Sequence, residues 1–321
     1  MKKRVYGIIG IVSRMSNWNA DFTGYPKTTS DGSVFGSDKA LKYPMKVMWN
    51  QQGEKVLYIK SFKRQESKKQ EIELTPRSLT ERYDYLFPES DDQGKDKTLL
   101  LKNLFATIDV KNFGATFAAK GNNLSITGAV QIGQGMNKYK DSIAFEQQIL
   151  SPFRDDSDKN KVNKDNKSDK EDAKATTLGT KIISDEAHYF YPFVINPTSY
   201  DEFVDLGVTE GYTEEDYMKF KDTALVSATA FNTNAKIGCE NEFAVFIETE
   251  PDIYLPDLSR FVTFTKDEDS NFIKFDVGDI LNPLSDRIKC VEIYYNPHTL
   301  QVQHNIKNVK EFNIFSRKEM V

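Results

Sequence analysis

Glycines punctuate residues 106–140, ATIDVKNFGATFAAKGNNLSITGAVQIGQGMNKYK, and restrict the folds open to this chain more than any other stretch. Gly114 follows a strand-like segment at 108–113, and Gly128, Gly133 and Gly135 interrupt the apolar-rich run 124–132 and its continuation. Each removes a side chain where a ligand or another backbone can come close. Gln131, Gln134, Asn137 and Lys138 set polar groups beside them. The segment is built to lay backbone against something.

Around it the pattern is that of an α+β protein with a mainly antiparallel sheet. Residues 6–13, YGIIGIVS, are apolar, partly β-branched and too short for a helix, which predicts a buried central strand. A polar loop of about 25 residues follows, longer than ordinary connections, but Trp18, Phe22, Tyr25 and Phe35 argue that it packs or stacks. Asp38 is the expected cap of a helix over 38–49, with Lys39, Lys42 and Lys46 along one face and Pro44 distorting its first turn. Residues 55–62, KVLYIKSF, alternate as a strand, and helices are expected at 82–87, capped by Thr75-Pro76, and at 99–105. Later strands are expected at 189–195, 242–248, 260–264, 271–275 and 289–295, with Asn296-Pro297 turning the last back toward 300–304. A helix over 213–228 has Thr213 as cap and Glu214, Glu215 and Asp216 in its first turn, where acids suit the helix dipole.

Charge divides the chain in two. Residues 1–150 hold 23 Lys and Arg against 16 Asp and Glu, while residues 151–321 hold 20 against 32. A basic half joined to an acidic half fits a polyanion-binding face on one side and solubility, or a head-to-tail contact with a like subunit, on the other. The tract 155–174, with seven acids, six lysines and no aromatic residue, cannot bury enough surface to fold. Strand-like flanks make it the tip of a projecting loop; a linker between domains is the plainer alternative. Cys239 and Cys290 lack metal or redox spacing, and no apolar run is long enough to span a bilayer, so a cytoplasmic protein with no disulfide and no membrane partner is expected.

Catalytic signatures are scarce. The chain has no H-E-x-x-H, no phosphate-binding G-x-x-x-x-G-K-[ST] and no G-x-S-x-G. Cys290, His298 and His304 fit no zinc pattern, and His188, among three aromatic residues, reads as a packed histidine. Neither a catalytic residue nor a metal or other cofactor is assigned. A basic, aromatic, glycine-punctuated N-terminal half remains, and that composition suits single-stranded nucleic acid.

Two motifs then resemble one family. Asp109-Val110-Lys111-Asn112-Phe113-Gly114 is similar to a D-V-R-x-F-G stretch, and Thr127-Gly128-Ala129-Val130-Gln131 to a T-G-P-V-Q stretch, of the repeated guide-RNA-binding backbone subunit of type I CRISPR interference complexes (Cascade), in the RAMP superfamily and closest to the I-B branch. Leu178-Gly179-Thr180-Lys181 matches a later element, and the resemblance runs over about residues 4–250. Ser16-Asn17-Trp18-Asn19-Ala20-Asp21 stands where the family often has N-P-N-G-D-P, and Lys111 replaces an arginine, keeping a charge but losing the planar fork.

The resemblance implies an RRM-like (ferredoxin-like) palm from 1–60, 99–150 and 179–321, a helical finger insertion at 61–98 and a thumb hairpin at 151–178 with a flexible charged tip. It implies no enzymatic activity, with crRNA, the target DNA strand, further copies in a helical filament and other Cascade subunits as partners: a guide 5′-end-binding subunit, a large subunit and a repeat-processing endonuclease. On that reading Arg14, Lys39, Lys42, Lys46, Lys111, Lys138 and Lys181 meet guide phosphates, and Asn17, Gln131, Gln134 and Asn137 hydrogen-bond the backbone, with Gly114 and Gly133 giving clearance. The alternative is a backbone endoribonuclease of type III-like complexes that cuts target RNA with Asp21.

Overall fold

The computed structural model describes residues 1–66, 72–89, 96–150, 178–267 and 270–320. In chain order the elements are β1 (Arg4–Ser16), β2 (Phe35–Gly36), α1 (Asp38–Gln51), β3 (Phe62–Glu66), β4 (Ile72–Pro76), α2 (Leu79–Leu86), α3 (Lys97–Phe105) and α4 (Ile108–Phe113). Then come β5 (Gly114–Ala119), β6 (Asn122–Thr127), β7 (Val130–Ile132), β8 (Gly135–Asn137), β9 (Ala144–Leu150), β10 (Leu178–Ile195), α5 (Asp201–Asp205), α6 (Glu214–Ala224) and α7 (Ser227–Ala230). The chain ends with β11 (Cys239–Thr249), β12 (Val262–Lys266), β13 (Asn271–Phe275), α8 (Gly278–Leu281), β14 (Ile288–Tyr295), β15 (Leu300–His304) and β16 (Val309–Asn313).

The apolar run near the N-terminus lies at the centre, as expected. β1 pairs antiparallel with β10 on one side and β11 on the other, in a sheet ordered β16-β14-β11-β1-β10-β8-β2, with β7 and β9 also on β10. Both faces of this sheet are covered, which explains the unbroken hydrophobicity of β1. Val5, Ile9 and Ile11 face one core with the helices, while Tyr6 and Ile8 face a second core beneath the sheet β12-β13-β15. Alternation along the strand fills both. Pairing is mainly antiparallel; β13 with β15 and β14 with β16 are parallel. None of the described helices is long and apolar enough to cross a membrane.

Several local expectations are corrected. Ser37, not Asp38, caps α1, its hydroxyl accepting from the Ala40 N–H at 3.3 Å, and the helix runs on through Pro44 without a distorted first turn. Ser78 and Glu81 form a capping box for α2, while Thr75-Pro76 ends β4. The 61–98 insertion therefore holds a β-ribbon, β3 with β4, besides helix. α6 stops at Ala224, short of 228. β15 does not turn back on β14 but joins β13. The expected thumb, 151–178, lies outside the described residues up to 177. Its flanks pair antiparallel, β9 against the start of β10, down to Leu150 opposite Leu178.

One carboxylate explains the largest of these differences. Asp109 is buried, and its two oxygens accept from the backbone N–H groups of Leu57 and Tyr58, each at 2.8 Å. Val56 gives its carbonyl to the Arg82 guanidinium and Lys55 its carbonyl to the Ile108 N–H. With its backbone groups taken in this way, residues 55–61 form no strand. Residues 108–113, read as strand-like, form α4 for the same reason: one helical turn aims Asp109 inward, while Asn112 donates to the Ile108 carbonyl at 2.8 Å and accepts from the buried Tyr212 hydroxyl at 2.7 Å.

A second buried cluster joins the two sheets. His188 is fully buried, stacked on Phe264 at 3.8 Å between ring centroids, with Nδ1 2.7 Å from Glu242 and Nε2 3.0 Å from Glu186. Lys266 and, at 3.3 Å, Arg14 also reach Glu186. Burial alone pushes the imidazole down, but the two glutamates outweigh it and hold His188 above its ordinary value. The hydrogen bond from His188, against the cost of burial, holds Glu186 well below the usual carboxylate range.

Asp109→Ala leaves two backbone donors unpaired and is expected to cost about 3 kcal/mol in urea unfolding; a loss under about 1 kcal/mol would mean that the carboxylate does not hold the segment. A raised His188 contributes stability that is complete below its ordinary value of 6.5 and fades as pH rises through the folded value. The thermal midpoint is thus expected to fall above that point, and His188→Gln to flatten the fall; parallel pH curves for the two proteins would refute it.

Candidate nucleic-acid interface

The two sequence motifs meet at one place. Gly114 has φ 76°, a backbone region that side chains disfavour, and a Cβ there would lie 2.2 Å from the Ile126 carbonyl and 2.4 Å from the Gly128 N. A Cβ on Gly128 would in turn lie 2.3 Å from the Gly114 N. The glycines of D-V-K-N-F-G and T-G-A-V-Q therefore clear each other. Gly133 and Gly135 lie against Pro192 and the Tyr191 ring. Of the two approaches that glycine permits, ligand or backbone, Gly114 and Gly128 serve the second; Gly133 and Gly135 make room for side chains.

Beside this contact lies a groove of about 370 Å³ lined by Lys39, Lys42, Lys46, Tyr58, Phe113 and Gly114. Helical spacing brings the three lysines to one face of α1, and the α4 turn that buries Asp109 sets Phe113 below them. Lys42 lies 5.1 Å and Lys46 6.0 Å from the Phe113 ring centroid, and Lys46 5.5 Å from that of Tyr58. Lys42 pairs with Asp38 at 2.9 Å and Lys46 with Asp109 at 3.7 Å, while Lys39 is exposed and has no ion pair among the described residues. Burial lowers the Lys46 ammonium below its ordinary value, and Asp109 opposes this only in part. At the rim Gln134 Nε2 reaches Asp38 at 3.5 Å. Cations over aromatic rings in an open groove can take a phosphate chain and stack a base or sugar.

The other expected residues lie elsewhere. Lys111 is turned inward, pairing with Glu210 at 3.2 Å and Asp216 at 3.0 Å, so its charge is neutralised within the protein. Gln131, which donates to the Gly128 carbonyl at 2.8 Å, and Gly133 line a separate, mostly apolar cavity of about 500 Å³ with Arg4 and Tyr254. Asn137 is bound to Tyr139 and to the His188 N–H, and burial lowers the half-buried Lys138 ammonium. Arg14 belongs to the His188 cluster. Asn17 is buried, donating to the carbonyls of Gly24 at 2.8 Å and Ile182 at 3.2 Å, with Lys236 on its own carbonyl at 2.6 Å. Lys181 donates to the Asn234 carbonyl at 3.2 Å. Asp21 is exposed, and its carboxylate, lowered by the Thr23 hydroxyl at 2.6 Å, closes a local turn with the Thr23 N–H at 2.7 Å.

Sequence reasoning missed Tyr58 and Phe113 as the aromatic wall of the groove. Phe113 lay within a quoted motif and Tyr58 within an expected strand; the signal for both was the charged residue beside them, since a buried Asp109 needs backbone donors and a cation. No group of three or more His, Cys, Asp or Glu among the described residues is placed to hold a metal ion.

No curated protein matches the chain. Among solved structures it is similar to a chain of a "CRISPR RNA-guided surveillance complex, pre-nicking", at 13% identity over 94% of this chain and 96% of that one, with a TM-score of 0.44. It is also similar to a chain of a "CRISPR RNA-guided surveillance complex", at 12% identity over 90% and 88%, with a TM-score of 0.39. Residues 3–280 match the family model described as CRISPR-associated protein Cas7, a span that includes both motifs, the groove residues and the central sheet apart from β14 and β16. The chain belongs to the CRISPR-associated protein Cas7 family.

Proposed function

We propose that the chain is a non-catalytic, guide-RNA-binding backbone subunit of a type I, I-B-like, CRISPR interference complex. It oligomerises along the spacer of the crRNA in the cytoplasm and presents it for pairing with the target DNA strand. The observation that carries this reading is the Lys39–Lys42–Lys46 face over Phe113 and Tyr58, assembled by the family's own Asp109 motif. The groove offers charge and ring faces, which suit a backbone of any sequence. Sequence would then be read by base pairing. The central sheet with its flanking helices serves as the RRM-like palm, 61–98 as the finger and 151–178 as the thumb. A guide 5′-end-binding subunit, a large subunit and a repeat-processing endonuclease complete the set of partners.

Lys46 also balances Asp109, so the cleaner probe of the groove is Lys39→Ala with Lys42→Ala. Loss of two phosphate contacts is expected to lower the slope of log affinity against log salt for single-stranded RNA by about 1.4, at about 0.7 per contact, with the melting temperature little changed. An unchanged slope would make these lysines a solvated helix face. Incubating the assembled complex with complementary RNA and magnesium is expected to leave that RNA intact, with or without Asp21→Ala. Cleavage abolished by Asp21→Ala would replace this reading with the endoribonuclease.

A further inference from the structure

We infer that the β3–β4 ribbon of one copy docks on the α5 face of another. This contact rests on the proposed function for its setting, since it supplies the joint of a chain repeated along RNA. Cross-strand register puts Phe62, Arg64, Glu66, Ile72, Leu74 and Pro76 on one side of the ribbon, with Phe62 opposite Pro76, Arg64 opposite Leu74 and Glu66 opposite Ile72. The ribbon forms a sheet of its own, and this side is uncovered: Ile72 is 73% exposed, Leu74 71% and Phe62 51%. A two-stranded ribbon is marginal by itself, and aligned apolar side chains of this size on it ask for a protein surface more than for a polynucleotide. Arg64 and Lys60 flank the apolar row, are exposed and carry no ion pair among the described residues.

The matching surface is on the same chain. α5 and the residue after it expose Val204 (41%) and Leu206 (60%) beside Asp201, Glu202 and Asp205, all exposed and without an ion pair among the described residues. The ribbon side is apolar with two basic residues, Lys60 and Arg64, against one acid, Glu66; on α5 the acids lie between Val204 and Leu206, which flank them on either side of the helix. Charge complementarity between two different patches of identical molecules gives a heterologous contact, which builds a filament where its rotation does not close into a ring. It places the basic and acidic halves of the chain where each is used. Strands of five residues cover about 17 Å, so the joint is small and weak alone. RNA holding neighbouring copies would raise their effective concentration and make it bind.

Charge swaps on the full chain test this. The variants are Lys60→Glu with Arg64→Glu, Asp201→Lys with Glu202→Lys and Asp205→Lys, and all five together. Each is measured for affinity on an RNA long enough for one copy and for cooperativity, by sedimentation, on an RNA long enough for several. Either single-face swap is expected to lower cooperativity about tenfold while leaving the one-copy affinity in place, and the combined variant to restore it. Unchanged cooperativity in the single-face variants overturns the docking. So does loss of one-copy affinity in the ribbon swap without rescue, which would make the ribbon a nucleic-acid contact. Failure of the unaltered chain to bind either RNA would instead remove the proposed function, and this joint with it.

Discussion

A buried carboxylate with no room for error sits at the centre of this molecule. Asp109 has left water, and a carboxylate does so only where hydrogen bonds and a cation replace its hydration. Two backbone N–H groups and the Lys46 ammonium meet that need. Because the donors come from 57–58 and the cation from α1, one side chain ties three stretches of sequence together. The single turn of α4 that delivers it ends at Gly114, whose backbone has to press on Gly128. Moving any of these displaces the groove, since Phe113 rides on the same turn.

Electrostatics and packing are shared between folding and binding rather than divided. Lys46 balances Asp109 and also contributes to the groove, so part of its field is spent inside the protein. Lys42 is partly offset by Asp38, an exchange typically worth only tenths of a kcal/mol near a surface. Lys39 remains the cation without a partner among the described residues. If guide RNA is bound here as proposed, such a groove would hold it firmly only by repetition, with many modest contacts along one strand.

Much of the fold was legible from the chain, for physical reasons that can be named. β1 was readable because both of its faces are buried, which leaves an uninterrupted apolar run. α6 was readable because Thr213 and Asp216 cap it locally, whatever lies around it. The lysine face of α1 was readable from spacing alone. Residues 55–61 and 108–113 were not, because their conformation is decided by Asp109 acting across about fifty positions of sequence, and alternation cannot report a side chain that takes the place of a neighbouring strand. The parallel pairing of β15 with β13 was hidden for a related reason: a turn signal after β14 gives a change of direction but not the sheet that receives it.

The site residues divide along the same line. Those whose role depends on helix periodicity came together, while those carried over from motifs, Gly114 apart, scattered, Lys111 to Glu210 and Asp216, Asn17 into the loop beneath β10, Gln131 to the far cavity. Of the positions the two motifs specify, Asp109, Gly114 and Gly128 hold backbone in place, and Asn112, at the open position of the first, does the same. They shape the groove at one remove: they set the angle of Phe113 and the distance from α1 to the 57–58 turn, and the α1 lysines, which neither motif contains, face what that geometry leaves open. Departures from the family pattern, such as Lys111 for arginine, are therefore judged by the contact they make. A lysine reaching two carboxylates satisfies this position without the planar fork that a phosphate site would use.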